Sequence, residues 1–304
     1  MLILNSLFPV VVLIFLGFVL KKRGLTTSAF LQTSDKLVYY IFFPVMLFWK
    51  IGGASYESGI DWSLCFAGLF TLAIMFVLSL VMIAVFRITD FQAGSFAQSC
   101  YRFNTYIGVA VILNSLGEEG IKHFGLLIGI AIPIINVVAV TTLIWFSQES
   151  RSIGARGKIV MKALLSNPLI IGCISGIIYS RSFSGYPQFI DNSLSLLSMV
   201  TLPLALLSIG GSLSFGGIRK HLPVSLLAAS AKLVIFPLVG YYSLNIFNVT
   251  GTPFLVGMIF FALPTSTAIY VLSSQMQSDT ELASSAILLS TLLSFPVLTM
   301  VLLL

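Results

Sequence analysis

The residues best suited to chemistry stand in two short interruptions of long apolar runs. Arg102-Phe103-Asn104-Thr105 falls inside the run 95–116, and Leu263-Pro264-Thr265-Ser266-Thr267 falls inside the run 253–274. Pro264 has no N–H, so the carbonyl of Phe260 loses its helical partner. Thr265, Ser266 and Thr267 are residue types that cap the free N–H groups of a restarting helix. A helix N-terminus carries about half a positive charge, and one placed in mid-span favours an anion. The plain alternative is a kinked helix whose hydroxyls bond back within it. Asn104 offers both donor and acceptor groups. It could bridge freed backbone groups of the Pro264 segment or hold a substrate oxygen. Gly108, one turn further on, allows close backbone approach or ordinary helix packing.

Two cations accompany these breaks, Arg102 and Lys232, both inside apolar runs. A charge at membrane depth costs about 2.5–3.5 kcal/mol even on the lenient insertion scale. Every acid of the chain is assigned to a loop or a span end, so neither cation has an expected carboxylate partner. Unpaired positive groups in a neutral interior point to a bound anion. Against this stand snorkelling of the long side chain to the interface and, for Lys232, hydrogen bonding to freed carbonyls of a crossing helix. The candidate substrate-binding set is Arg102, Asn104, Thr105, Lys232, Thr265 and Ser266, with Pro264 and Gly108 as break and hinge. Pro133 and Asn136 could kink their span towards the crossing, and packing explains them equally well.

Catalysis has no comparable foothold. His123 and His221 are assigned to loops, and their spacing fits no metal or triad pattern. Cys65, Cys100 and Cys173 are odd in number and far apart, which argues against a disulfide framework and a metal knuckle. The expectation is a protein with no enzymatic activity, no metal and no cofactor.

The elements that position these residues follow from composition. Charged residues make up 9% of the chain and hydrophobic ones 58%, with a mean hydropathy of +1.05. Such values describe a polytopic membrane protein. A span of the roughly 30 Å hydrocarbon layer takes about 20 residues, and ten are predicted: 2–20, 37–53, 62–86, 95–116, 124–146, 163–179, 193–213, 223–247, 253–274 and 282–303. The first run lacks a basic leader and a cleavage site, and Lys21-Lys22-Arg23 follows it, so it reads as a retained helix. With the first loop in the cytoplasm, most basic residues fall on that side and only Lys50, Lys122 and Arg181 on the other. That asymmetry predicts a multi-pass protein of the plasma (bacterial inner) membrane with both termini on the non-cytoplasmic side. It also accounts for the net charge of +6 without a nucleic-acid partner. Trp49, Trp62 and Trp145 read as interfacial anchors.

A fixed offset relates the halves. Pro9 and Gly17 match Pro168 and Gly176, and Pro44 matches Pro203 at the same spacing. Gly52-Gly53 and Gly210-Gly211 follow, slipped by one residue. Five spans per copy invert the second copy in the membrane. The predicted organisation is a first repeat over 1–146, a short cytoplasmic loop over 147–162 and a second repeat over 163–304. Paired broken helices in such halves point to a binding site between them.

The segments Arg102-Phe103-Asn104-Thr105-Tyr106-Ile107-Gly108, Asn167-Pro168-Leu169-Ile170, the stretch from Leu202-Pro203 to Gly210-Gly211, Lys232-Leu233 with Pro237, and Ala262-Leu263-Pro264 resemble the auxin efflux carrier family, which includes plant PIN-like transporters and bacterial malonate-type permeases. The resemblance covers nearly the whole chain. It implies an all-α fold of ten helices in two inverted five-helix repeats, with crossing broken helices at the fourth and ninth spans, as in sodium/proton antiporters and bile-acid transporters. It further implies a scaffold of spans 1, 2, 6 and 7, often the homodimer side, and a moving domain of spans 3–5 and 8–10. The chain departs from the plant pattern. Phe103-Asn104 stands where Pro-Asn is usual, which predicts a milder fourth-span break. The third span carries no ionisable residue, and 147–162 is short and basic. A bacterial small-anion permease is the nearer analogy.

The resulting expectation is an alternating-access secondary carrier of a small organic anion, a carboxylate, with the lipid bilayer as its other partner. A non-transporting sensor or structural protein on the same fold is the alternative, because fold does not establish function. An inside-negative potential favours anion export by about 2.3 kcal/mol per charge per 100 mV, so export or exchange is the expected direction.

Overall fold

The computed structural model describes residues 2–53, 62–146, 168–183, 185–212 and 218–303. The basic segment 147–162, the start of the sixth span, Asn167 of its motif, Glu57 and Asp61 lie outside the described residues. All regular structure among those described is helical: α1 (Leu2–Lys22), α2 (Ser28–Leu37), α3 (Phe43–Gly52), α4 (Trp62–Val85), α5 (Asp90–Tyr101), α6 (Thr105–Phe146), α7 (Pro168–Ser182), α8 (Gln188–Ser212), α9 (Ile218–Ser230), α10 (Phe236–Ile246), α11 (Gly251–Ala262), α12 (Ala268–Gln275) and α13 (Thr280–Val301). Five helical stretches, 62–85, 90–146, 188–211, 220–246 and 280–301, are long and apolar enough to cross a membrane.

Proline explains two local departures from the α-helix. Pro44 and Pro237 each follow a phenylalanine, and each is preceded by a five-residue π turn, Val38–Phe42 and Ala231–Ile235. A proline removes one N–H and its ring crowds the carbonyl four residues back. The wider turn relieves that crowding: Phe43 N–H donates to Val38 O and Phe236 N–H to Ala231 O, five residues back. Wide turns of this kind cluster at functional positions. Lys232 sits in the second.

Two loop assignments are corrected. The second span was expected to begin at Leu37, but helix begins at Ser28, where the Thr27 hydroxyl accepts from Phe30 N–H at 3.2 Å. Residues 28–36 are largely polar, so hydropathy gives no sign of this helix. The loop expected between 116 and 124 is a single residue. Gly117, with φ of 64°, reverses the chain, a conformation open to glycine at little cost. Glu118, Glu119, Lys122 and His123 are therefore helical.

Outside the crossing, α1 packs on α8 and α3 on α7 through glycine. A Cβ on Gly17 would lie 2.1 Å from the Leu207 carbonyl, and one on Gly210 would lie 1.8 Å from the Ile14 carbonyl. One on Gly172 would lie 2.6 Å from the Pro44 carbonyl. Small residues at such faces let backbones approach closely in lipid. Helices α5 and α11 show a second correspondence. From Asp90 to Gly251, from Tyr101 to Ala262 and from Arg87 to Asn248 the offset is 161 residues each time. Arg87 and Asn248 share a left-handed backbone, with φ of 52° and 53°.

Candidate functional site

Both predicted interruptions leave the helix, and they meet. Residues 102–104 are non-helical between α5 and α6, and residues 263–267 are non-helical or turn between α11 and α12. The fourth-span break takes three residues and the ninth-span break five. Asn104 N–H donates to the Pro264 carbonyl at 2.9 Å, so the two breaks touch through their backbones.

Several of the polar groups freed by the breaks are taken up across the crossing. Ser99 O has lost Phe103 N–H as its helical partner, and the Thr265 hydroxyl donates to it at 2.9 Å. Thr265 N–H donates to Ser290 Oγ of α13 at 3.1 Å. Asn104 Oδ1 accepts from Ile107 N–H at 3.1 Å and so caps α6. Ser266 Oγ accepts from Ala268 N–H at 3.3 Å and plays the same part for α12. Of the three residues expected to cap α12, only Ser266 does so through its hydroxyl, because Thr265 is drawn across to Ser99 and Thr267 makes no side-chain cap. Asn104 is 1% exposed, and among the described residues its Nδ2 has no partner.

The two cations have different surroundings. Lys232 is 0% exposed, its Nζ lies 3.4 Å from the Phe261 carbonyl, and it stands 4.0 Å from the centre of the Phe236 ring. This is the carbonyl contact that sequence reasoning set beside a substrate contact. Arg102 is half-buried, with no carboxylate partner expected. Its Nη1 donates to Gln98 Oε1 and Nη2 to Asn136 Oδ1, each at 3.0 Å. Both partners are neutral amides, so the positive charge is held in place and not cancelled. Among the described residues, no carboxylate pairs with Arg102 or Lys232. Thr105 opens α6 and is half-buried. A Cβ on Gly108 would meet the ends of Phe124 and Leu263 at 2.6 and 2.7 Å, so Gly108 makes room for side chains at the break and not for a backbone.

At the crossing Phe103, Asn104, Leu263, Pro264 and Thr265 are buried, and Arg102, Thr105, Ser266 and Thr267 are half-buried. The described cavity, about 150 Å³ and apolar, lies between α4 and α6 against Leu72, Phe76 and Ile135. It reaches the crossing region at Tyr101, beside Arg102.

Sequence reasoning missed three groups. Gln98 stands four residues before Arg102 on one helix face, a spacing that predicts contact, so that signal was present. Ser290 had none. The third is His221, assigned to a loop but in fact in α9 and 3% exposed. Its ring nitrogens lie 3.6 Å from Asp279 Oδ2 and 3.3 Å from Glu281 Oε2. Lys220 adds an exposed ion pair to Glu281 at 3.5 Å. Asp279 also caps α13 through Leu282 N–H, and its own N–H donates to Phe91 O. One end of α5, α9 and α13 is thereby tied together. Lys50 and Glu118 pair at the opposite end.

Known proteins match this chain over nearly its whole length. The model of the membrane transport protein family matches residues 2–302. An uncharacterized transporter of Methanocaldococcus jannaschii is 26% identical, with 95% of this chain and 94% of that protein covered. An uncharacterized transporter of Methanothermobacter thermautotrophicus is 24% identical over the same shares of the two chains. A polytopic helical chain with two touching helix breaks, matched from end to end, belongs to the membrane transport protein family of auxin-efflux-carrier-like transporters.

Proposed function

We propose that this transporter carries a small organic anion, a carboxylate, by alternating access at the crossing of its two broken helices. The observation that carries this reading is the buried, unpartnered Nδ2 of Asn104. An unpaired donor at that depth is costly, and a carboxylate oxygen would satisfy it. The N-termini of α6 and α12 add their positive ends, Thr265 and Ser266 flank the same turn, and Arg102 supplies a full charge between neutral partners. Asn104, Thr105, Arg102, Thr265 and Ser266 form the substrate side of the site, Pro264 and Gly108 its break, and Lys232 its buried support.

The matching lengths, left-handed entry residues and 161-residue offset of α5 and α11 support two five-helix repeats. With the basic loops in the cytoplasm, the copies are inverted and the His221 end faces inward. On this reading α1, α2–α3, α7 and α8 are the scaffold, carrying any homodimer contact. Helices α4–α6 and α9–α13 move as the transport domain, by an elevator or rocking motion. The membrane is the plasma membrane, and its potential drives export or exchange.

Purified protein screened by thermal shift against acetate, malonate, malate and indole-3-acetate identifies the ligand, since binding to the folded state alone raises stability. That ligand is then followed into proteoliposomes. Asn104→Ala is expected to reduce flux about tenfold or more, the scale of one hydrogen bond to a charged group, while the protein still inserts. Unchanged flux in that variant rejects the site.

A further inference from the structure

The end of α11 presents carbonyls whose loss of helical partners has a named cause in each case. Phe260 O faces Pro264, which has no N–H. Phe261 O would accept from Thr265 N–H, but that donor is committed to Ser290. Phe260, Phe261 and Ala262 are fully buried, and a helix C-terminus carries about half a negative charge. A buried negative end without a donor needs a positive group.

Lys232 meets that need from the neighbouring π turn. Its ammonium reaches the Phe261 carbonyl on one side and the Phe236 ring face on another. A ring face attracts a cation through its quadrupole, and ammonium groups are the ligands such faces recognise. One carbonyl and one ring form a poor shell for a hard metal ion, which takes several oxygens.

We infer that Lys232 is a tethered ammonium ion built into the helix break: it occupies a small cation site at the carbonyl end of α11 and fixes the backbone that places Asn104. The connection to Asn104 is direct, because the Pro264 carbonyl three residues beyond Phe261 accepts Asn104 N–H. Lys232 is thus a positioning residue, and the site it fills takes a small ammonium group. This role does not depend on which solute the crossing carries.

The test is thermal unfolding of the purified full chain in choline, ammonium or methylammonium chloride at matched ionic strength. Lys232→Ala melts below wild type in choline, and ammonium or methylammonium restores at least half of the lost melting temperature. Wild type and Lys232→Met, whose side chain fills the same space without charge, gain nothing from either cation. Equal recovery in Lys232→Met overturns the inference. So does Lys232→Ala that is unimproved by either cation, including protein that stays unfolded in every salt. No organic anion enters the measurement, so its failure leaves the Asn104 flux test standing, and the reverse also holds.

Discussion

Two regions of this molecule bring helices together by opposite means. Where α1 meets α8 and α3 meets α7, glycine removes the side chain and backbone approaches backbone. Where α5–α6 meets α11–α12, the helices are broken and their freed polar groups are exchanged across the gap: Thr265 to Ser99, Asn104 to Pro264, Lys232 to Phe261. The first kind of contact has no polar group to satisfy and no room to slip. The second is directional, and among the described residues it leaves Asn104 Nδ2 without a partner. Lipid supplies no hydrogen bonds, so a membrane protein can hold irregular backbone only where protein groups complete it.

The same chemical change should therefore give different results in the two regions. Gly210→Ala forces a methyl against the Ile14 backbone at 1.8 Å. Backbone cannot rotate away, so the loss should exceed the usual overpacking cost of about 1–3 kcal/mol and appear as a sharp fall in melting temperature and folded yield. Near-normal melting would break the comparison at its stronger end. Thr265→Val keeps the shape and deletes the hydroxyl that serves Ser99 O. Leaving that carbonyl unsatisfied should cost about 1–3 kcal/mol, and denaturant unfolding that matches wild type would show the cross-link to be dispensable. Gly108→Ala should have the smallest effect on stability, because its methyl meets only the ends of Phe124 and Leu263, which can move. Alanine also recovers about 1 kcal/mol of helix propensity, so the net change should stay within that figure. A loss as large as that of Gly210→Ala would mean the crossing is as rigid as the glycine faces.

Much of this was legible in the residues themselves. Pro264 and the polar residues after it located one break, and the run Arg102-Phe103-Asn104-Thr105 located the other. Hydropathy located the long spans but not the polar turns of α2, because a helix held by capping and neighbours need not be apolar. The Gly117 reversal was read as a loop, since Glu118, Glu119 and Lys122 are charged whether or not they are helical. His221 was misplaced for a related reason. Its partner Glu281 lies 60 residues away in the chain, Asp279 stands just before it, and no local pattern links them to the histidine.

Composition and spacing alone determined that the chain crosses a membrane many times, that two spans break near matching points, and that two cations enter the apolar interior. Those are consequences of transfer energy and of the missing proline N–H, which any sequence carries openly. Tertiary structure decided how each freed group is answered: that Arg102 rests on Gln98 and Asn136, that Lys232 turns to Phe261 and Phe236, and that Thr265 serves Ser99 instead of its own helix. A hydrogen bond needs its partner within about 3 Å in the right direction, and only the packing of distant helices sets that distance.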